Sequence, residues 1–399
     1  MNYLLCIFNF LREVFYNMKK IFFSQETVFY KTLPSRFFTE PPRLIPESRH
    51  NMPRLFSPNS TRAPYAAPQH EKKNLSLPIN GIVDNFTRNY HNPTDNKQHT
   101  GSHINIMKRT IAAITFCICC AMAAGQNLTH EIEKIIRGKQ ATIGAAVIYG
   151  NHTFLVGNTQ ESPIMSVFKL HIGITALKKM EAENIPLDSM VYIEKEQMSE
   201  NTYSPLRNKF PDQRIHISFK NILEYTISHS DNNACDWLIA FVGGIDKVDR
   251  YIKSLGIEDL NLIHTESEMH ADIMKCYDNC STPLSVAQLL KTVYTENILD
   301  KEHFAFLEET LLNCSSGKDK LIAGLPADVE FAHKTGHSDR TPEGILICDA
   351  DAGVIYMPDG KKCYISVLIK DSKESDAENA RIMARIAGAA YKCLTKHRR

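Results

Sequence analysis

Hydrophobic positions change their spacing twice along the second part of the chain. They first alternate over 142–149 and 153–157, on either side of a Gly-Asn turn, which predicts a β-hairpin. Over 166–312 they recur every three or four residues, which indicates amphipathic helices. Alternating runs then return at 329–334, 345–357 and 364–370, and a last helical period follows at 376–396.

Strand-like runs at both ends of this region therefore enclose a long helical stretch. Strands from the two ends can pair only if the chain returns to its starting point, so we predict one antiparallel sheet built from both ends and flanked by helices. The helical stretch then forms an inserted all-helical lobe beside that sheet. This is an α+β fold, and a cleft between its two parts is the natural place for a site.

The first 106 residues lack this order. They hold ten of the 18 prolines and show no sustained period, so we expect a disordered or mis-annotated upstream extension at 1–106. A charged start, a short apolar run and an Ala-x-Ala exit follow at 107–124, which is typical of a secretory signal peptide and too short for a membrane span. We expect 125–399 to be the mature domain, secreted to the periplasm without stable membrane insertion. No cysteine in the apolar run follows a small residue, which argues against a lipid anchor.

Composition limits the kinds of partner that we expect the chain to bind. Hydrophobic residues make up 43% of the chain and charged residues 23%, and the formal net charge is +1, so we expect a soluble domain without a nucleic-acid footprint. We expect a monomer with a small-molecule substrate. Seven scattered cysteines follow the signal segment, an odd number that does not suggest a disulfide framework. A metal on Cys276 and Cys280 would need a second close pair, so we predict no metal and no cofactor.

One nucleophile motif stands at the head of the helical stretch. Ser166 and Lys169 are three residues apart, so a helix would bring the hydroxyl and the amine to one face, and such a pair can form an activated nucleophile. The same S-x-x-K spacing recurs at 315–318, but in a glycine-containing loop. The helix start, whose amides favour developing negative charge, selects Ser166.

Two further triplets follow in order. Ser230-Asp231-Asn232 comes after a helical run, and Lys334-Thr335-Gly336 ends a predicted strand. The ordered trio is far more specific than any one motif, and with it residues 126–396 resemble the penicillin-interacting serine enzymes, in particular class A β-lactamases. The resemblance implies the serine β-lactamase and penicillin-binding fold, and hydrolysis of the β-lactam ring through an acyl-enzyme on Ser166.

The resemblance also implies roles for individual residues. The base that activates water should be Glu266, which lies 34 residues after Asn232 and 68 before Lys334, the separations expected for this family. Ser230 would pass a proton to the departing nitrogen. The remaining residues of the predicted site would bind substrate: Asn232, Lys334, Thr335, Gly336, His337 and Tyr203. Among them, the backbone amide of His337 would complete the oxyanion site, and Tyr203 would be a gating aromatic.

The stretch 265–272 resembles the subgroup that contains the PER and CfxA enzymes, in which a histidine replaces the asparagine that positions water. His270 is that histidine here, and the subgroup leans toward cephalosporins. His264 and Asn279 depart from the family, since many class A enzymes carry an Arg/Asp bridge at these positions. The sequence therefore does not predict how this loop folds.

Three other functions compete. A penicillin-binding D,D-peptidase or a β-lactam sensor would acylate without turnover, but Glu266 argues against both. A non-catalytic binding protein would not need the full set of reactive residues. A zinc-dependent lactamase needs an H-x-H-x-D string, which the chain lacks.

Overall fold

The computed structural model describes residues 128–158, 162–211 and 214–396. The strands in these ranges are β1 (Thr142–Tyr149), β2 (His152–Val156), β3 (Ser162–Pro163), β4 (Met190–Ile193), β5 (Ile215–Ser218), β6 (Leu260–Asn261), β7 (Cys280–Ser281), β8 (Phe331–His337), β9 (Leu346–Tyr356) and β10 (Lys362–Ser372). The helices are α1 (128–136), α2 (Phe168–Glu183), α3 (Pro205–Lys209), α4 (Phe219–Ile227), α5 (Asn232–Val242), α6 (Ile245–Ser254), α7 (Glu266–Ala271), α8 (Pro283–Thr295), α9 (Lys301–Leu312) and α10 (Asp376–Thr395).

The main sheet joins the two ends of the described chain. Its order is β2-β1-β10-β9-β8, and every neighbouring pair is antiparallel. Strand β1 lies beside β10, so that Ala145 faces Val367 across the ladder. Residues more than two hundred positions apart thus pair directly, as the pattern of strand-like runs predicted.

Both faces of this sheet are covered, and β1 shows how. Ala145 and Val147 point into one hydrophobic cluster, which α1 and α10 complete, whereas Ala146 and Ile148 point into a second, larger cluster that contains the helical lobe. This alternation follows from the two-residue period of a strand. The sheet is therefore a central layer between two cores.

Helix α2 runs through the larger core. Its residues from Phe168 to Leu177 are all buried, which explains why its apolar positions are not confined to one stripe. Gly173 allows the approach of α4, because a Cβ at this position would lie 2.5 Å from Cδ1 of Ile227. The position of α2 matters for function because the predicted nucleophile lies at its beginning.

The fold class predicted from the sequence is confirmed, with two corrections of detail. The inserted lobe is not purely helical, because it also contains a two-stranded sheet of β4 and β5 and most of a small sheet ordered β3-β7-β6. These strands have only two to four residues. So few positions cannot establish an alternating pattern in the sequence.

A second correction concerns β8. The K-T-G triplet lies at the end of this strand, as predicted, but the strand runs to His337 and not to Lys334, since Gly336 and His337 continue the ladder opposite Ala350 and Asp349. Glycine is depleted in strands, which is why the sequence pattern ended too early. The triplet therefore lies on a rigid paired strand.

The extension predicted at 1–106 and the signal peptide predicted at 107–124 lie outside the described residues. Among the residues that are described, none of the helices combines the length and the apolar character needed to cross a membrane.

Candidate active site

The predicted nucleophile lies on a short 3-10 turn (Met165–Val167) that leads into α2. Met165 has a left-handed backbone, with φ of 41°, so the chain turns sharply just before Ser166. Strand β8 passes close to this turn. A Cβ on Gly336 would lie 2.6 Å from the carbonyl oxygen of Ile164 and 3.1 Å from the amide nitrogen of Ser166. Only glycine allows this approach.

Lys169 is fully buried beneath the nucleophile and connects the predicted catalytic groups. Its Nζ donates to Oγ of Ser166 at 3.0 Å, to the carbonyl of Ser230 at 2.7 Å and to Oδ1 of Asn232 at 2.6 Å. It also forms an ion pair with Glu266 at 2.9 Å. A buried lysine is stable only when it is paired and hydrogen-bonded, and this one is both.

Ser230 has a left-handed backbone, with φ of 57°, between α4 and α5. Its hydroxyl lies between two ammonium groups, 2.9 Å from Nζ of Lys334 and 3.4 Å from Nζ of Lys169. The following residue, Asp231, is fully buried and fixes this turn, because its carboxylate accepts bonds from the amides of Ala234 and Leu206. Asp231 therefore caps α5 while it holds the neighbouring loop.

Glu266 is the first residue of α7 and is buried. Its Oε1 lies 3.5 Å from Oγ of Ser166. Asp236 on α5 holds this end of α7, since its carboxylate accepts from the amides of Glu266 at 2.8 Å and Ser267 at 2.9 Å. Burial raises the pKa of Asp236, although the bonds from Ser267 and Glu266 oppose that shift. The predicted general base is thus held in place through its backbone amide.

The sequence did not predict how the loop that carries Glu266 folds. At its neck, where residues 263 and 264 meet residue 279, the two sides are connected by the side chain of Asn279. Its Oδ1 accepts from the amides of Ile263 and His264, and its Nδ2 donates to the carbonyl of His264. The His264 ring turns outward to Asp278 at 2.9 Å. Three bonds from a buried amide to the backbone thus connect the two sides of the neck.

Lys334 is fully buried on β8, and its partners are a hydroxyl and the carbonyl of Thr335 at 2.8 Å. Neither partner carries a charge. Burial lowers the pKa of Lys334 to about 8, a shift that the negative charge of Cys314 opposes and to which the positive charge of Lys169 adds. A buried cation with this little compensation is well suited to an anionic ligand.

A second buried cation lies nearby. Nζ of Lys320 donates to the carbonyl of Gly336 at 3.2 Å and contacts the carboxylate of Asp349. Burial would raise the pKa of Asp349, but the hydrogen bond of His337 and the charge of Lys320 outweigh it, and the pKa is lowered. The exposed ring of His337 lies 3.3 Å from Asp349, its partner across the ladder on β9, while its backbone is part of β8.

The remaining candidate residues are less buried than the two lysines. Asn232 is clamped between Lys169 and the hydroxyl of Thr202, to which its Nδ2 donates at 2.7 Å. Tyr203 is 62% exposed, and its carbonyl accepts from the amide of Asn232 at 3.1 Å. His270 is exposed on α7, one turn after Glu266. These placements are compatible with the predicted roles.

The structure thus brings together Ser166, Lys169, Ser230 and Lys334 of the three motifs, and Glu266, which the family resemblance singled out. Sequence reasoning missed Asp236 and Thr202, which position the reactive groups, and it assigned no role to Asp231. Nothing in the spacing of Asp236 marks it, since it is one of many acidic residues on helices. Among the described residues, no group of three or more histidine, cysteine or acidic side chains could hold a metal ion, and the seven cysteines there are free thiols.

Comparison with known proteins identifies relatives in sequence and in structure. The model of the β-lactamase enzyme family matches residues 127–394. A β-lactamase of Bacteroides uniformis is 42% identical over 290 residues, which are 71% of this chain and 98% of that protein. The extended-spectrum β-lactamase PER-1 of Pseudomonas aeruginosa is 32% identical over 284 residues, 71% of this chain and 92% of that protein. A solved class A β-lactamase of Bacteroides cellulosilyticus is 46% identical with a TM-score of 0.67, and the match covers 68% of this chain and 99% of that one.

The chain therefore belongs to the β-lactamase enzyme family. It is a class A serine β-lactamase, a hydrolase that opens the ring of small-molecule β-lactams and so confers resistance to them. The resemblance to the PER subgroup is confirmed by the match to PER-1.

Proposed function

We propose that this enzyme works through an acyl-enzyme on Ser166 that is cleared by water activated at Glu266. One observation carries the proposal: a single buried ammonium group, that of Lys169, bonds at once to the hydroxyl of Ser166 at 3.0 Å and to the carboxylate of Glu266 at 2.9 Å. The nucleophile and the base thus share one fixed partner. Preorganised contacts of this kind lower the barrier because no solvent must reorganise during the reaction.

In the acylation step, Oγ of Ser166 attacks the lactam carbonyl and its proton must leave. Lys169 and, through water, Glu266 are the two candidate bases. Nζ of Lys169 lies 3.0 Å and Oε1 of Glu266 lies 3.5 Å from the serine oxygen. Both groups are therefore within reach of the proton, Glu266 directly or through one water.

The developing oxyanion would accept bonds from the backbone amides of Ser166 and His337. Each donor of this kind is worth roughly 3 to 4 kcal/mol in the transition state. Both amides are rigidly placed, because Gly336 lets β8 lie against the 3-10 turn. Ser230 would then donate its proton to the lactam nitrogen and recover one from the neighbouring ammonium groups.

Substrate binding would use the same strand. Lys334 and Thr335 would bind the carboxylate of penicillins and cephalosporins, and Asn232 would bind the side-chain amide of the drug. Gly336 leaves space for the ring, and Tyr203 would close over it. We propose that His270, on the same face of α7 as Glu266, orients the hydrolytic water. The resemblance to PER-1, which is named as an extended-spectrum enzyme, supports a preference for cephalosporins.

Hydrolysis of a chromogenic cephalosporin by the full chain tests this assignment. We expect Ser166→Ala to abolish hydrolysis and to give no covalent adduct by intact mass spectrometry. The matched control is Ser315→Ala, which removes the first residue of the other S-x-x-K spacing and should keep full activity. Activity that survives Ser166→Ala, or that is lost with Ser315→Ala, would refute the assignment of the nucleophile.

Class A β-lactamases are typically exported. We propose that this one is exported to the periplasm by the segment 107–124, released as a domain beginning near residue 125, and active as a monomer. The N-terminal peptide of the exported product tests the cleavage, and a product that retains residues 1–106 contradicts it. Light scattering during gel filtration tests the oligomeric state.

A further inference from the structure

The loop 313–317, which follows α9, packs against the strand that carries the predicted carboxylate site. Oγ of Ser316 lies 2.5 Å from Oγ1 of Thr335 on β8. The next residue, Gly317, is also close, since a Cβ there would lie 2.5 Å from Cγ2 of Thr335. Both branches of the buried Thr335 side chain therefore contact this loop, and a β-branched side chain that is held at both branches has a fixed rotamer.

The loop itself is held by hydrogen bonds near both of its ends. At the start, the hydroxyl of Ser228 donates to the carbonyl of Asn313, and the amide of Ser315 donates back to the carbonyl of Ser228 at 3.0 Å. At the end, Gly317 has a left-handed backbone, with φ of 67°, and its carbonyl accepts from the amide of Lys320 at 2.9 Å. The hydroxyl between these ends is therefore carried by a fixed segment.

The two hydroxyl groups can bond in only one direction once an anion is bound. A hydroxyl has one proton to donate, and in the free enzyme either Ser316 or Thr335 can be the donor. A carboxylate only accepts, so Thr335 must then give its proton to the substrate and accept one from Ser316. The other partner of the Ser316 hydroxyl, Sγ of Cys314 at 3.5 Å, is a weak acceptor and competes little for that proton. In such a chain each hydrogen bond polarises the next.

We propose that Ser316 is a positioning residue for the substrate carboxylate. Its hydroxyl donates to Oγ1 of Thr335 and so directs the Thr335 proton at the anion. This role rests on the proposed function, in which Lys334 and Thr335 bind the carboxylate. Ser316 therefore favours β-lactams that carry this anion over neutral ones, and it does so through Thr335 rather than by contact with the substrate.

The expected effect has the size of one hydrogen bond between neutral groups. Without the Ser316 hydroxyl, Thr335 loses the donor that orients and polarises its own bond to the anion. A net loss of this kind corresponds to about fivefold in kcat/KM. The carboxylate does not react, so it is bound alike in the ground state and the transition state. The loss should therefore appear in KM, while kcat stays within about twofold of the native value.

The experiment compares a chromogenic cephalosporin with the methyl ester of its carboxylate, using the full chain. Ser316→Ala should raise KM for the acid about fivefold and leave kcat/KM for the ester unchanged. Ser316→Thr, which keeps the hydroxyl, should retain the native KM. The matched control is Ser315→Ala, because the hydroxyl of Ser315 donates to the carbonyl of Ser228 at 2.8 Å, a bond that its amide also makes. This control should hydrolyse the acid and the ester as the native enzyme does.

A double-mutant cycle tests whether Ser316 acts through Thr335. Thr335→Val removes the second hydroxyl and should itself raise KM for the acid. Adding Ser316→Ala to Thr335→Val should then change KM by less than about twofold, because the hydroxyl that Ser316 positions is already gone. A merely structural role of Ser316 would instead give the same loss with the acid and the ester, and the same loss with and without the Thr335 hydroxyl.

Two results would overturn the inference while the proposed function stands. One is an equal loss with the acid and the ester in Ser316→Ala. The other is a native KM in Ser316→Ala when Thr335→Val raises KM. If Thr335→Val leaves KM for the acid unchanged, the proposed role of Thr335 is wrong and the role of Ser316 falls with it. Failure of the inference is thus distinguishable from failure of the proposed function.

Discussion

The buried ammonium group of Lys334 makes activity depend on pH in a defined direction. Its partners are uncharged, and burial lowers its pKa to about 8 from an ordinary 10.5. The charged form is the one that binds a carboxylate, so binding is lost as pH rises through about 8. The protonated fraction falls from about 90% at pH 7 to about 10% at pH 9, and kcat/KM should fall about tenfold over this range.

The bound substrate should shift this basic limb of the pH profile to higher pH. Its carboxylate stabilises the ammonium form, so kcat, which reports the enzyme–substrate complex, should decline only at a higher pH than kcat/KM. The assay is initial-rate hydrolysis of a chromogenic cephalosporin at pH 6 to 10, with enzyme stability checked at each pH. Lys334→Arg should have lower activity but no basic limb, because a guanidinium stays charged throughout.

Lys318→Arg is the matched control, since Lys318 is exposed and lies in the loop of the second S-x-x-K spacing. It should keep the native profile. The reasoning fails if native kcat/KM is flat from pH 7 to 10, or if Lys334→Arg shows the same basic limb.

Three further substitutions test how the site is held. Gly336→Ala should reduce acylation by at least about tenfold, because the new Cβ would lie 2.6 Å from the carbonyl of Ile164; unchanged burst kinetics would contradict this. Asp231→Ala should lower the free energy of unfolding in urea by about 3 kcal/mol, through the lost cap of α5 and an unpaired Leu206 amide, whereas the exposed Asp246→Ala should change it little. Asn279→Ala should speed hydrogen exchange at the amides of residues 263 and 264 and slow deacylation more than acylation; unaltered exchange there would show that the neck does not depend on this amide.

Much of the fold could be predicted because its main elements are long. The strands of the sheet and the last helix have periods that extend over enough residues to be recognised, and the structure moves their ends by only a few positions. Strands β3 to β7 were missed because they are too short. The end of β8 was placed too early because glycine interrupts a pattern without interrupting the ladder.

Four of the candidate reactive residues could be proposed from the sequence because they occur in three compact motifs, and Glu266 because it lies at the spacing expected for the family. The contacts between these segments could not be predicted. Lys169 reaches Asn232, 63 positions away, and Asp236 holds Glu266 from another helix. Such contacts depend on how helices pack, which no local pattern encodes.

Time-resolved intact mass spectrometry of the full chain with excess cephalosporin tests the central claim most directly. The native enzyme should show an adduct on Ser166 that forms and clears as substrate is consumed. Glu266→Gln should acylate and then retain the adduct for at least about a thousandfold longer, whereas Glu268→Gln, altered at an exposed carboxylate of the same helix, should clear it normally. A native adduct that never clears, or an adduct that Glu266→Gln clears as fast as the native enzyme, would contradict the account.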